Sequence, residues 1–199
     1  GLWGHGNDLF QYTYDLDKAR ELLKQAGYPD GGLKLSMTYL SGHEYEKKSA
    51  ELFQAELAKL NVELEVRAMP WATACEVAKN KDINQRQDIF TMIWYPDLTG
   101  PYSFLQIYAT EKEPLLNFTY QQNSTFDDLI EQANDLSGSD MNKSIKKFVE
   151  AQEFLIDDAV AIFAFDNQYA RVINKSFKGY VDNPAYPSVV FFYDTYREN

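Results

Sequence analysis

Leu33, Leu35, Met37 and Tyr39 alternate with Lys34, Ser36 and Thr38 behind an Asp30-Gly31-Gly32 turn, the two-residue period of a strand with one buried face. Val62, Leu64 and Val66 repeat that alternation, and residues 88–94 supply a third β-prone run. Helical periods separate the strands. Leu16, Ala19, Leu22, Leu23 and Ala26 share one face over residues 15–26, with Asp15 placed to cap the start and Gly27 and Pro29 to stop the end. Ala50, Phe53, Leu57 and Leu60 mark a second helix over 45–59. Trp71, Ala72, Ala74, Cys75 and Ala78 mark a short third over 71–79. Helix and strand in strict alternation predict an α/β fold, a mostly parallel sheet with helices on both faces.

The pattern changes after Pro101. A capping box at Ser124-Thr125-Phe126-Asp127 (Asp in the place of Glu) opens a helix carrying Leu129, Ile130, Ala133 and Leu136 on one side. Ser137-Gly138-Ser139 breaks it, and residues 140–156 form the next helix, with Met141, Ile145, Phe148 and Leu155 inward. The continuous apolar run 159–165 reads as a buried strand, and 168–173 as another. Residues 79–87 read as a polar surface loop. Val189-Val190-Phe191-Phe192-Tyr193 is an apolar edge that invites self-association unless something pairs with it.

Composition narrows the function classes. In 199 residues, 19 basic against 30 acidic side chains leave a net charge of −11, which argues against binding a phosphate backbone. Fourteen tyrosines, 13 phenylalanines and 3 tryptophans suit either a large core or a broad ligand surface. The single cysteine, Cys75, lies on an apolar helical stretch and reads as a buried thiol. No apolar run reaches membrane-spanning length and no signal peptide opens the chain.

Catalytic chemistry finds little footing. His5 and His43 are the only histidines, both read as solvent-exposed, and one Cys with two scattered His makes a poor metal set. No Gly-x-Ser-x-Gly, P-loop or Gly-x-Gly-x-x-Gly occurs. Asp127/Asp128 and Asp157/Asp158 are sequence neighbours, which on a helix point apart and cannot work as a dyad. The expectation is a non-enzyme without metal or cofactor.

The most informative segment is Ile89-Phe90-Thr91-Met92-Ile93-Trp94-Tyr95-Pro96-Asp97, followed by Gly100-Pro101-Tyr102-Ser103-Phe104-Leu105. An apolar strand ends in an indole, and an isolated carboxylate follows in a loop stiffened by Pro96. Ligands of open α/β sheets bind beyond the carboxyl ends of strands. Trp94 offers a flat apolar wall and Asp97 one negative charge, together a receptor for an ammonium group. The plainer alternative is an Asp that caps the turn at Pro101.

This segment resembles the Trp-x-x-Asp…Pro-x-x-Phe-Leu region of the family 5 extracellular solute-binding proteins, the dipeptide, oligopeptide and nickel receptors of ABC transporters; Gly100 stands where that family commonly has a second acidic residue. Trp3-Gly4, the stretch from Tyr14-Asp15 to Ala26-Gly27-Tyr28, Met69-Pro70-Trp71, Phe126-Asp127-Asp128-Leu129-Ile130 and Lys178-Gly179-Tyr180 are similar to further family stretches in the same order. The resemblance implies one lobe of a type II periplasmic-binding-protein clamshell, from the C-terminal part of a longer protein. It implies a connecting segment at 1–14, a ligand-binding lobe at 15–178 and a segment at 179–199 that returns toward the other lobe. In function it implies an extracytoplasmic protein, periplasmic or a cell-surface lipoprotein, that captures a small peptide or similar solute for a membrane permease. Asp97 would accept the solute's α-ammonium beside Trp94, with Tyr95 and Tyr102 as secondary contacts. A non-transport domain of the same fold that recognises a partner protein or senses peptides is the alternative.

Overall fold

The computed structural model describes residues 3–95, 98–111, 115–166, 170–182 and 189–198. It divides into two compact units. One, the sheet unit, comprises Phe10–Ile93 and Thr110–Gln122; the other, the helical unit, comprises Gly1–Leu9, Trp94–Ala109 and Asn123–Asn199.

The sheet unit opens with α1 (Leu16–Gln25), whose N-cap Asp15 accepts from the Lys18 amide at 2.8 Å. Then come β1 (Lys34–Leu40), α2 (Glu44–Ala58), β2 (Glu63–Met69), α3 (Trp71–Ala78) and β3 (Ile89–Phe90). The strands are parallel in the order β2-β1-β3. Met37 and Leu64 point to one face and pack with Ala50 of α2, joined by Leu35, Phe53, Leu57 and Ile89. Thr38, next to Met37 and so on the opposite face, is fully buried, and α3 packs against β1. Helices thus cover both faces of a parallel sheet, as the alternation requires.

On the α3 face, Trp71, Phe90 and Phe118 meet edge-on or tilted, with centroids 5.1 to 6.4 Å apart. Tyr120 donates its hydroxyl proton to the Ala78 carbonyl, and the Arg86 guanidinium lies 4.3 Å from the Tyr120 ring. These contacts hold residues 118–120 onto the layer.

The helical unit carries α4 (Tyr102–Leu105), α5 (Ser124–Leu136), α6 (Met141–Asp157), β4 (Phe177–Lys178) and β5 (Tyr196–Arg197). Phe126, Ile130 and Ala133 of α5 interlock with Phe148, Ala151 and Leu155 of α6, and Leu105 of α4 completes the cluster. Phe126 and Phe148 are fully buried, each contributing about 1.5–3 kcal/mol of transfer free energy. The Ser144 hydroxyl, also buried, donates to the Ala133 carbonyl at 2.7 Å and ties the two helices together. The N-terminal stretch is anchored here too: Gln152 donates to the Gly4 carbonyl and accepts from the Gly6 amide, and Trp3 meets Phe148 edge-on at 5.7 Å.

Several sequence expectations need correction. Residues 159–165 form no strand; Ile162, Phe163 and Phe165 are exposed. Of 168–173, residues 168 and 169 lie outside the described residues and 170–173 form no strand, with Val172 fully exposed. A strand needs a partner ladder as well as apolar side chains. The run 88–94 pairs only at Ile89 and Phe90. The cap of α5 is Asn123, not Ser124: Asn123 has the extended backbone a cap needs (φ −142, ψ 109), and its side chain accepts from the Thr125 and Phe126 amides. The 79–87 loop holds a single 3-10 turn (Ile83–Gln85), and Gln87 is buried. Cys75 is only half-buried, as is His43. Among the described residues, 189–193 pair with nothing in a ladder, while β5 pairs antiparallel with β4.

Candidate functional site

The loop that follows β3 in sequence starts the helical unit at Trp94. Its geometry is set by one buried residue, Ser103. The Ser103 carbonyl accepts from the Trp94 indole N–H at 2.8 Å, and the Ser103 hydroxyl accepts from the Leu98 amide at 3.3 Å. Amides of Ser103 and Phe104 bond back to the carbonyls of Gly100 and Pro101, which winds the chain into α4. Pro101 is buried against Gly4, where a Cβ would come within 2.8 Å of the proline ring, and a Cβ added at Gly100 would lie 3.5 Å from the Trp3 indole, an ordinary contact distance.

Of the four candidates, Trp94 is half-buried with its polar edge turned onto the loop's own backbone. Tyr95 is exposed. Tyr102 opens α4 and donates its hydroxyl proton to Glu131 Oε1 at 2.6 Å. That carboxylate, helped by burial, pushes the phenol up to about 12. Trp94 bonds the backbone of Ser103, the chain neighbour of Tyr102, and Tyr95 adjoins Trp94 in the chain. Asp97 lies outside the described residues. Ser103 carried no signal in the sequence, because a buried serine's value here is largely its backbone carbonyl.

A recess of about 600 Å³ in the sheet unit lies elsewhere, at the amino ends of β1 and β2, lined by Lys34, Ser36, Glu63, Glu65, Arg86 and Asp88. Its charges are largely spoken for: Lys34 pairs with Glu63, Glu65 with Arg67, and Asp88 accepts from Ser36. This is the wrong end of a parallel sheet for a ligand.

The opposite end carries a second cluster. Glu46, third residue of α2 and 5 % exposed, accepts from the Leu40 amide at 2.8 Å and from His43 Nδ1 at 2.7 Å. The Thr91 hydroxyl, which donates to the Thr38 carbonyl at 2.9 Å, lies 3.3 Å from the same carboxylate. Among the described residues no group of three or more His, Cys, Asp or Glu could hold a metal ion.

A family profile for bacterial extracellular solute-binding proteins, family 5 (middle region), matches residues 1–114. The chain is 29% identical over 192 residues to a probable D,D-dipeptide-binding periplasmic protein of Escherichia coli, covering 95% of this chain and 36% of that protein. It is 28% identical to the dipeptide-binding protein of the same organism, with 92% and 34% covered. It therefore spans about a third of the length of these relatives. Among solved structures, a periplasmic binding protein from Helicobacter pylori in complex with the peptide STSA superposes with a TM-score of 0.70 at 29% identity, over 80% of this chain and 30% of that one. A dipeptide binding protein from Pseudoalteromonas in complex with Met-Leu gives 0.73 at 19% identity, over 99% and 38%, a likeness of fold. With the profile covering more than half of its residues and the parallel β2-β1-β3 sheet in place, this chain belongs to the family 5 bacterial extracellular solute-binding proteins.

Proposed function

We propose that the longer protein to which this chain corresponds captures short peptides outside the cytoplasm and delivers them to an ABC importer. Trp94 and the loop clasped by Ser103 support this reading, because a receptor wall must already be in place before the solute arrives. Relatives that bind dipeptides point to the same solute class. In this reading Asp97 accepts the α-ammonium, Trp94 walls the site, and Tyr95 and Tyr102 contact the solute nearby. An ammonium withdrawn from water needs a fixed anion, and the attraction strengthens as surrounding water is excluded.

Calorimetry of dipeptide binding to the full-length protein and its Asp97→Asn variant tests the assignment. We expect binding to weaken by at least tenfold; unchanged affinity removes Asp97 from the site. Exposed Phe191, Phe192 and Tyr193 favour self-association of the 199-residue chain through its C-terminal segment. Light scattering that returns a monomer at high concentration counts against that.

A further inference from the structure

We infer that His43 is a solute-contacting residue, its Nε2 accepting a hydrogen bond from a peptide N–H or ammonium, with the buried Glu46 as the positioning residue that aims it.

The argument starts from topology. In a sheet ordered β2-β1-β3 the chain leaves β1 to one side and returns to the other, so the crevice beyond the carboxyl ends of β1 and β3 is the switch point where open α/β sheets take their ligands. Glu46 bridges that point, bonded to Leu40 at the end of β1 and within 3.3 Å of Thr91 Oγ1 just past β3. A charged side chain this buried is rare unless paired, and its ionic partner among the described residues is His43.

That pairing dictates the imidazole's chemistry. An ionised carboxylate only accepts, so His43 Nδ1 carries the proton it shares with Glu46, the Tyr45 hydroxyl lying 3.1 Å from the same nitrogen, and in the uncharged tautomer this leaves the lone pair on Nε2. Nε2 has no partner among the described residues, and the His43 side chain is 41% exposed. The Tyr45 ring, 5.5 Å away, fixes the imidazole from the side. A half-exposed acceptor, oriented by a buried acid at a switch point, matches the way fixed polar groups select a ligand's donors. Helix capping alone does not account for it: His43 occupies the cap position of α2 but makes no side-chain cap bond.

The inference rests on the peptide reading, and its test separates the two. Long-range proton–nitrogen NMR on the 199-residue chain is simple to read because only His5 and His43 contribute imidazoles. We expect His43 in the Nδ1–H tautomer, and Glu46→Gln to convert it to a mixture. Adding trialanine at millimolar concentration should shift His43 Nε2 and leave His5 in place. His43→Gln should weaken trialanine binding about fivefold, the worth of one hydrogen bond, in a chain that circular dichroism shows to be folded. If the Trp94 indole signal moves while His43 Nε2 stays still, or if Glu46→Gln leaves the tautomer as it was, this inference fails and the peptide reading stands. If neither signal moves, this inference fails, and the peptide reading is decided by calorimetry on the full-length protein.

Discussion

The indole N–H of Trp94 ends on the carbonyl of Ser103, 2.8 Å away, so the loop after β3 is closed on itself by a side chain. Trp94→Phe keeps an aromatic ring and removes only the donor. Ser103 is buried, so its carbonyl would be left without a partner. We expect a loss of about 1–3 kcal/mol, measured as a lower denaturant midpoint, with faster amide exchange at Leu98 and Ser103. A midpoint equal to that of the unsubstituted chain would mean the bond closes nothing.

Gly31 and Gly32 adjoin one another, both with positive φ (73° and 83°), yet they differ in surroundings. A Cβ on Gly31 would lie 2.3 Å from the Leu60 carbonyl oxygen, whereas one on Gly32 would meet nothing within 4 Å. Gly32→Ala should therefore cost only the left-handed backbone penalty, about 1–2 kcal/mol. Gly31→Ala must in addition push apart the turn before β1 and the end of α2, and should lower the thermal midpoint clearly more. Equal effects of the two would show that backbone conformation alone governs this turn.

The sheet unit was legible because β2 divides its faces, with Leu64 buried between exposed Glu63 and Glu65; β1 departs from the single buried face its alternation predicted, because α3 packs against it and Thr38 is buried opposite Met37. The cap Asp15 was legible because its side chain acts within three residues; Asp140 caps α6 in the same way but was read only as the start of that helix. Residues 159–165 misled because a continuous apolar run carries no period to say what it pairs with. Asn123 and Ser124 are both competent caps, and only backbone geometry chose between them. For the site, residue type pointed to Trp94, but its partner is a backbone carbonyl that no residue type advertises. Glu46 went unnoticed for a related reason. An acid in a helix's first turn ordinarily faces water, and its burial depends on Leu40 and Thr91, the latter 45 residues away.

Tyr102 and Tyr108 are both held near 12 from an ordinary 10.0, the first chiefly by its bond to Glu131, the second by burial. In each the neutral phenol is favoured in the folded chain. Their contribution to stability is therefore complete below pH 10, and declines as pH rises toward 12, where the unfolded chain has already released the protons. Tyrosinate absorbance should show these two phenols among the last to ionise, together with loss of the fold. Tyr102→Phe should remove one late ionisation and leave the other. Ionisation of all tyrosines near 10 with the fold intact would refute the assignment.

Asp15 and Asn123 cap helices of opposite standing, which separates a cap's local worth from its global effect. Each accepts backbone amides, Asp15 from Lys18 and Asn123 from Thr125 and Phe126, so each substitution by Ala should cost its own helix about 1 kcal/mol. Helix α5 buries Phe126, Ile130 and Ala133 in the core of the helical unit, so it cannot open without that core. Asn123→Ala should therefore lower the midpoint of the whole unit. Helix α1 buries no residue, and Leu22 is 51% exposed. It can fray while the rest stays folded. Asp15→Ala should speed amide exchange within α1 and leave the denaturant midpoint where it was. A midpoint that falls with Asp15→Ala as far as with Asn123→Ala would mean that α1, despite its exposure, is welded to the sheet and unfolds only with it.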